Sequence, residues 1–174
     1  MHKKTIIIKT LGFKVVDVIT LTGHSVICLL LWICYNFQLV SLKIIKSCIF
    51  DYFLILPFIL IFLLFRNLRN IKFYFFWFIF GLLQLLVYYN AKDNTDFFFA
   101  RGTGLVSLKI LLPVLIMFQI LRQISLIVYK QEMILSLRHF RMSFYEEEEN
   151  RNMTWMEVLF SLILYATAII FNNG

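Results

Sequence analysis

Apolar positions along the chain do not alternate singly; they gather into long unbroken stretches separated by short polar segments. The stretches cover residues 18–40, 48–65, 73–89, 105–121 and 155–171. A hydrocarbon layer about 30 Å thick takes about 20 residues of α-helix at 1.5 Å each, and only helices or closed barrels satisfy their backbone polar groups there. Barrel strands would alternate residue by residue over about ten positions. The pattern therefore predicts an all-α, polytopic transmembrane helical bundle of about five spans. On the first span, a step of 100° per residue gathers Asp17, Thr20, His24, Cys28 and Tyr35 on one side and spreads Leu29, Leu30, Leu31 and Ile33 over the remainder. One side is suited to protein, the other to lipid.

The polar segments order these spans. Residues 65–72 form a tight connection, which makes the second and third spans an antiparallel pair, and the aromatic block at 73–78 fits an interfacial belt. Residues 90–104 form a loop around the apolar patch 97–99, with Gly102 and Gly104 as turn residues. The longest hydrophilic segment is 122–154. Within it, 124–129 and 133–137 flank Lys130-Gln131-Glu132, either as a short β-hairpin or as a helical continuation along the membrane surface. Three regions follow: a four-span membrane region at 1–121 with a basic start, a charged segment at 122–154, and a last span within 155–174.

Charge then gives a direction. Basic residues of short loops stay on the cytoplasmic side. With the N-terminus inside, that side holds Lys3, Lys4, Lys9, Lys14, Arg66, Arg69, Lys72, Arg122, Lys130, Arg138, Arg141 and Arg151, twelve of the 17 Lys and Arg. Only Lys43, Lys46, Lys92, Arg101 and Lys109 remain outside, so the bundle reads N-inside and C-outside. The 61% hydrophobic content and mean hydropathy of +0.82 exclude a soluble globule. The formal charge of +7 is explained by this bias and by anionic headgroups, without a nucleic-acid partner. The apolar run at 5–8 is too short for a signal-peptide core, so the N-terminal segment is expected to stay. Abundant Phe, Ile, Lys, Tyr and Asn point to an AT-rich genome, hence a bacterial inner membrane or an organellar one.

Candidate chemistry is sparse. Asp17 and His24 share a face about 10 Å apart along the axis, a spacing that fits a contact between helices or a crude proton path. Lys109, Gln119 and Gln123 fall within about 80° of one another, with Arg122 adjacent and Pro113 between. Such polarity inside a membrane calls for a neighbouring helix or a wet cavity. Glu157 closes a capping box, Thr154-Trp155-Met156-Glu157. Arg138, His139 and Arg141 precede Glu146, Glu147, Glu148 and Glu149, a basic-then-acidic run that reads as a docking surface. Glu146-Glu147-x-x-x-Arg151 resembles the first motif of intramembrane glutamic proteases, yet no His follows His139 and these glutamates precede a span instead of occupying one. Gly-x-Ser-x-Gly and His-Glu-x-x-His are absent. Asp93 and Asp96 lack calcium-loop spacing, and Cys28, Cys34 and Cys48 lack a metal-ligand spacing. No cofactor or metal is expected. The expectation is a non-enzymatic multi-pass subunit that scaffolds or anchors a larger membrane assembly, contacting lipid and other membrane subunits. The alternative is a small transporter or channel component with a polar path along the first and fourth spans.

Overall fold

In the computed structural model, the described residues are 15–93, 98–99, 102–130, 132–133 and 155–173. They form α1 (Val15–Asn36), α2 (Leu42–Phe62), the short α3 (Phe65–Leu68), α4 (Ile71–Ala91), α5 (Leu111–Tyr129) and α6 (Trp155–Asn173). A two-residue ladder, β1 (Phe98–Phe99) against β2 (Gly102–Thr103), is antiparallel with Phe98 opposite Thr103. A 3-10 helix, Gly104–Lys109, leads from it into α5. The protein is thus a helical bundle, and four of its helices are long and apolar enough to cross a membrane: Val15–Asn36, Leu42–Ile61, Ile71–Ala91 and Leu105–Tyr129. At 22 residues, α1 is about 33 Å long.

Burial identifies the centre. In the Leu105–Tyr129 helix 44% of the most apolar stretch is buried, against 6% in α1; the first is the bundle's axis and the second its outer wall. Leu108, Ile110, Leu111, Val114, Leu115, Phe118 and Leu121 meet Leu56 and Leu60 of α2, Phe73 and Trp77 of α4, and Phe160, Leu164 and Ala168 of α6 in one core. Outward-facing Thr22 and Ser25 need no partner, because their hydroxyls donate to the carbonyls of Val18 (2.7 Å) and Leu21 (2.9 Å) one turn back.

Helix boundaries differ from those the apolar runs predict. α2 begins at Leu42, so Lys43 and Lys46 lie inside it and the α1–α2 connection is reduced to residues 37–41, with Gln38 in the left-handed region at φ 50°. Pro113 does not kink a long helix. It is the third residue of α5, where a backbone N–H would have no intrahelical acceptor, and the break in regular α-helix comes earlier, in the 3-10 stretch. The hairpin alternative at 124–129 is replaced by helix: α5 continues through Tyr129 and ends at Lys130, φ 54°.

Candidate functional site

Only two residues of α1 are fully buried, and both are polar: Asp17 and His24. They stand on the stripe Asp17, Leu21, His24, Cys28, Leu31, Tyr35, whose apolar members pack on the core. The spacing alternates four and three residues, the period of a left-handed helix pair. The predicted polar face is the buried one, but it does not join its two ionisable residues into one site.

His24 meets α2 and α4. Its Nδ1 is 2.8 Å from Tyr52 Oη, its Nε2 is 3.4 Å from Gln84 Nε2, and Cys28 Sγ lies 3.6 Å from Nε2. The rings of Trp77 and Phe80 stand 4.9 Å and 4.7 Å away between centroids, and Tyr52 stacks on the imidazole at 18°. As placed, the Gln84 amide N–H donates to Nε2, Nδ1–H donates to Tyr52, and Gln84 Oε1 and Trp77 Nε1 are buried without partners among the described residues. Turning the amide over lets Tyr52 O–H donate to Nδ1 and Nε2–H donate to Gln84 Oε1, at the cost of placing the amide NH2 where the unpartnered oxygen was. Either way the imidazole ties three helices together.

Asp17 is held at one end of the bundle, where its Oδ1 accepts from Asn67 Nδ2 in the α3 turn. Close by in sequence, Arg69 reaches the chain beyond α5: its Nη2 donates to the Met133 carbonyl, and its Nε is 3.9 Å from Glu132. Arg122 grips Glu132 side-on, Nε to Oε2 at 2.9 Å and Nη2 to Oε1 at 2.7 Å. Partial burial raises the Glu132 carboxyl, but the hydrogen bond from Arg122 and the charges of Arg122 and Arg69 outweigh it and hold the group below the usual glutamate range. Residues 132–133 are thereby folded back onto the bundle. Arg122, singled out as a partner contact, is engaged within the chain.

The remaining candidates are dispersed. Gln119 and Gln123 line a groove of about 410 Å³ beside α4 with Tyr74, Ile116, Ile120 and Ile124. Gln119 Oε1 is buried there with no hydrogen-bond partner among the described residues. Lys109, at the end of the 3-10 helix, is out of phase with them. It lies in a different groove among α4, α5 and α6, with its Nζ 5.7 Å from the Tyr88 ring centroid. Glu157 is buried at the start of α6, while Ser161 donates to its carbonyl at 2.8 Å. The capping partner Thr154 and the acidic run Glu146, Glu147, Glu148 and Glu149 lie outside the described residues. Among the described residues no three His, Cys, Asp or Glu side chains are grouped to hold a metal.

Sequence reasoning missed Tyr52, Gln84 and Asn67. For Gln84 the signal was present: Phe73, Trp77, Gly81 and Gln84 are the buried residues of α4, and their spacing is that of one helix face.

The chain matches no family model, no curated protein and no solved structure.

Proposed function

We propose that this chain is a non-enzymatic, five-span subunit of a larger assembly in a bacterial inner or an organellar membrane, N-inside and C-outside. In this reading α6 is the fifth span, and partners dock on the amide-bearing face of α5 and on the 122–154 segment. One observation carries it. Gln119 lies midway along α5 and lines a groove on the side of the bundle, and its amide is unsatisfied there: Oε1 is turned inward and has no partner among the described residues, so a rotation of the side chain would present the amide to a neighbouring helix. Hydrocarbon offers no donor to such a group, whereas a neighbouring helix does; hydrogen bonds of this kind between membrane helices average about 0.6 kcal/mol. Gln123, one turn on, extends the same polar strip.

Two further features support this reading. The beginning of the 122–154 segment is fixed to the bundle by Glu132, so anything bound by the segment is coupled to the helices. The transporter alternative needs the polar residues of the first and fourth spans along one path, but His24 sits among α1, α2 and α4 while Lys109 and Gln119 open into separate grooves.

Extraction in mild detergent, followed by native mass measurement and identification of copurifying chains, tests the proposal. A defined complex that loses a subunit on Gln119→Leu is expected. A lone monomer or homodimer that carries solute flux in liposomes would overturn it. Reversing the charges of Glu146–Glu149 is expected to release partners without unfolding the helices.

A further inference from the structure

The extension of α2 back to Leu42 changes the position of one charged residue. Were the span to begin at 48, Asp51 would sit near its end; with α2 running from Leu42 to Phe62, Asp51 is nine residues in, about 14 Å along a helix about 32 Å long. Its neighbour Tyr52 reaches His24, itself well inside α1, which places Asp51 at mid-depth in the bundle. Yet Asp51 is exposed on the outer surface. Among the described residues it has neither an ion pair nor a hydrogen bond.

A carboxylate facing lipid at that depth is unfavourable, and Asp is too short to reach either headgroup layer as Lys and Arg do. Lys46 cannot neutralise it within the helix, because five residues at 100° place it about 140° away. The residues around Asp51 form a continuous exposed stripe, Ile44, Cys48, Asp51, Ile55 and Ile59. The other side of the helix carries Ile45, Phe53, Leu56 and Leu60 into the protein interior. Steps of four and three residues with one polar member are the pattern of a helix-pairing seam, in which the polar position selects partner and register.

Resting on the subunit reading, we propose that this stripe of α2 seats a transmembrane helix of a different partner subunit, and that Asp51 pairs with a Lys or Arg on it. Charge complementarity chooses the occupant. A second copy packed about a two-fold axis would bring Asp51 against Asp51, two like charges in a medium that screens neither, whereas a basic partner residue neutralises Asp51 and is neutralised by it.

Cys48, exposed three residues before Asp51, supplies a native handle. In intact membranes, with Cys28 and Cys34 replaced by Ala, a maleimide–diazirine linker attached to the Cys48 thiol and photoactivated, so that its carbene inserts into a neighbouring C–H bond with loss of N2, is expected to join Cys48 to a span carrying Lys or Arg within one turn of the linked position. Asp51→Asn is expected to lower copurification of that subunit about tenfold. Asp51→Lys is expected to abolish it, and replacing the partner's basic residue with Asp in the same cells is expected to restore it. Asp51→Leu in the isolated chain should leave its melting temperature unchanged, since Asp51 holds nothing inside the bundle.

Linkage of Cys48 to a second copy, a linked span without a basic residue, or full retention of the partner by Asp51→Asn would each overturn the proposal. Retention by Asp51→Asn together with loss on Gln119→Leu would reject this pairing and leave the subunit reading intact. A wild-type chain that is alone in mild detergent would reject both.

Discussion

The imidazole of His24 on α1 and the phenol of Tyr52 on α2 are joined at 2.8 Å with their rings nearly parallel, in a setting of Trp77, Phe53 and Phe80 with Gln84 and Cys28 beside the other ring nitrogen. In a membrane, burying a Leu against a neighbouring helix gains little over leaving it in lipid, so a peripheral helix is best retained by bonds that lipid cannot offer. α1 fits that logic: its two fully buried residues are the polar Asp17 and His24, while most of its Val, Leu and Ile are exposed.

His24→Phe and Tyr52→Phe are therefore expected to destabilise the chain non-additively. A double-mutant cycle on detergent-induced unfolding should give a coupling of about 0.6 kcal/mol, and at most about 1.7. Strictly additive losses would mean that the two side chains act independently.

Gly81 of α4 lies against Leu112, and a Cβ built on it would meet Leu112 Cα, Cβ and Cδ1 at 3.4 Å. That is the near edge of ordinary contact. Gly81→Ala is expected to change stability by no more than about 1 kcal/mol, since the gain in helix propensity offsets a slight displacement. Gly81→Leu is expected to cost about 2 kcal/mol or more by pushing α4 from α5. Thermal unfolding of the purified variants checks both.

The clamp on residues 132–133 should depend on acidity. Glu132 is held below its ordinary range in the folded protein, so its contribution is complete above the unfolded-state value and disappears as pH falls through the lower, folded value. A spin label at Lys130→Cys is expected to be immobile at neutral pH and mobile in strong acid. With Glu132→Gln added, it should be mobile throughout. An acid transition that survives in the Gln variant would assign it to another group.

Much of the helical architecture was legible because a bilayer demands long apolar runs, and nothing shorter or alternating explains residues 15–36 or 71–91. The buried face of α1 was legible for a related reason, since Asp17 and His24 stand out against an apolar background. Their partners were not. Tyr52 and Asn67 belong to other helices, and a single polar residue has no period from which its orientation can be read. The start of α2 was misjudged because Lys43 and Lys46 look like loop residues, although long basic side chains near a helix end can reach the headgroups. The phase of Lys109 was lost where the chain changes from 3-10 to α-helix, which composition does not mark. The Arg122–Glu132 pair depends on a reversal at Lys130, a non-glycine residue in the left-handed region that carries no turn signature.

Asp17, Asn67 and Glu132 belong to one end of the bundle and Lys92 to the other, and the account requires the first end to face the cytosol across a lipid bilayer. With Cys28, Cys34 and Cys48 replaced, single cysteines at the exposed positions Lys72 and Lys92, and at Asn173, can be treated with a membrane-impermeant maleimide in intact and in permeabilised cells. Labelling of positions 92 and 173 from outside, and of 72 only after permeabilisation, is the predicted result. Equal labelling of 72 and 92 in intact cells, or a protein recovered in solution without detergent, would contradict it.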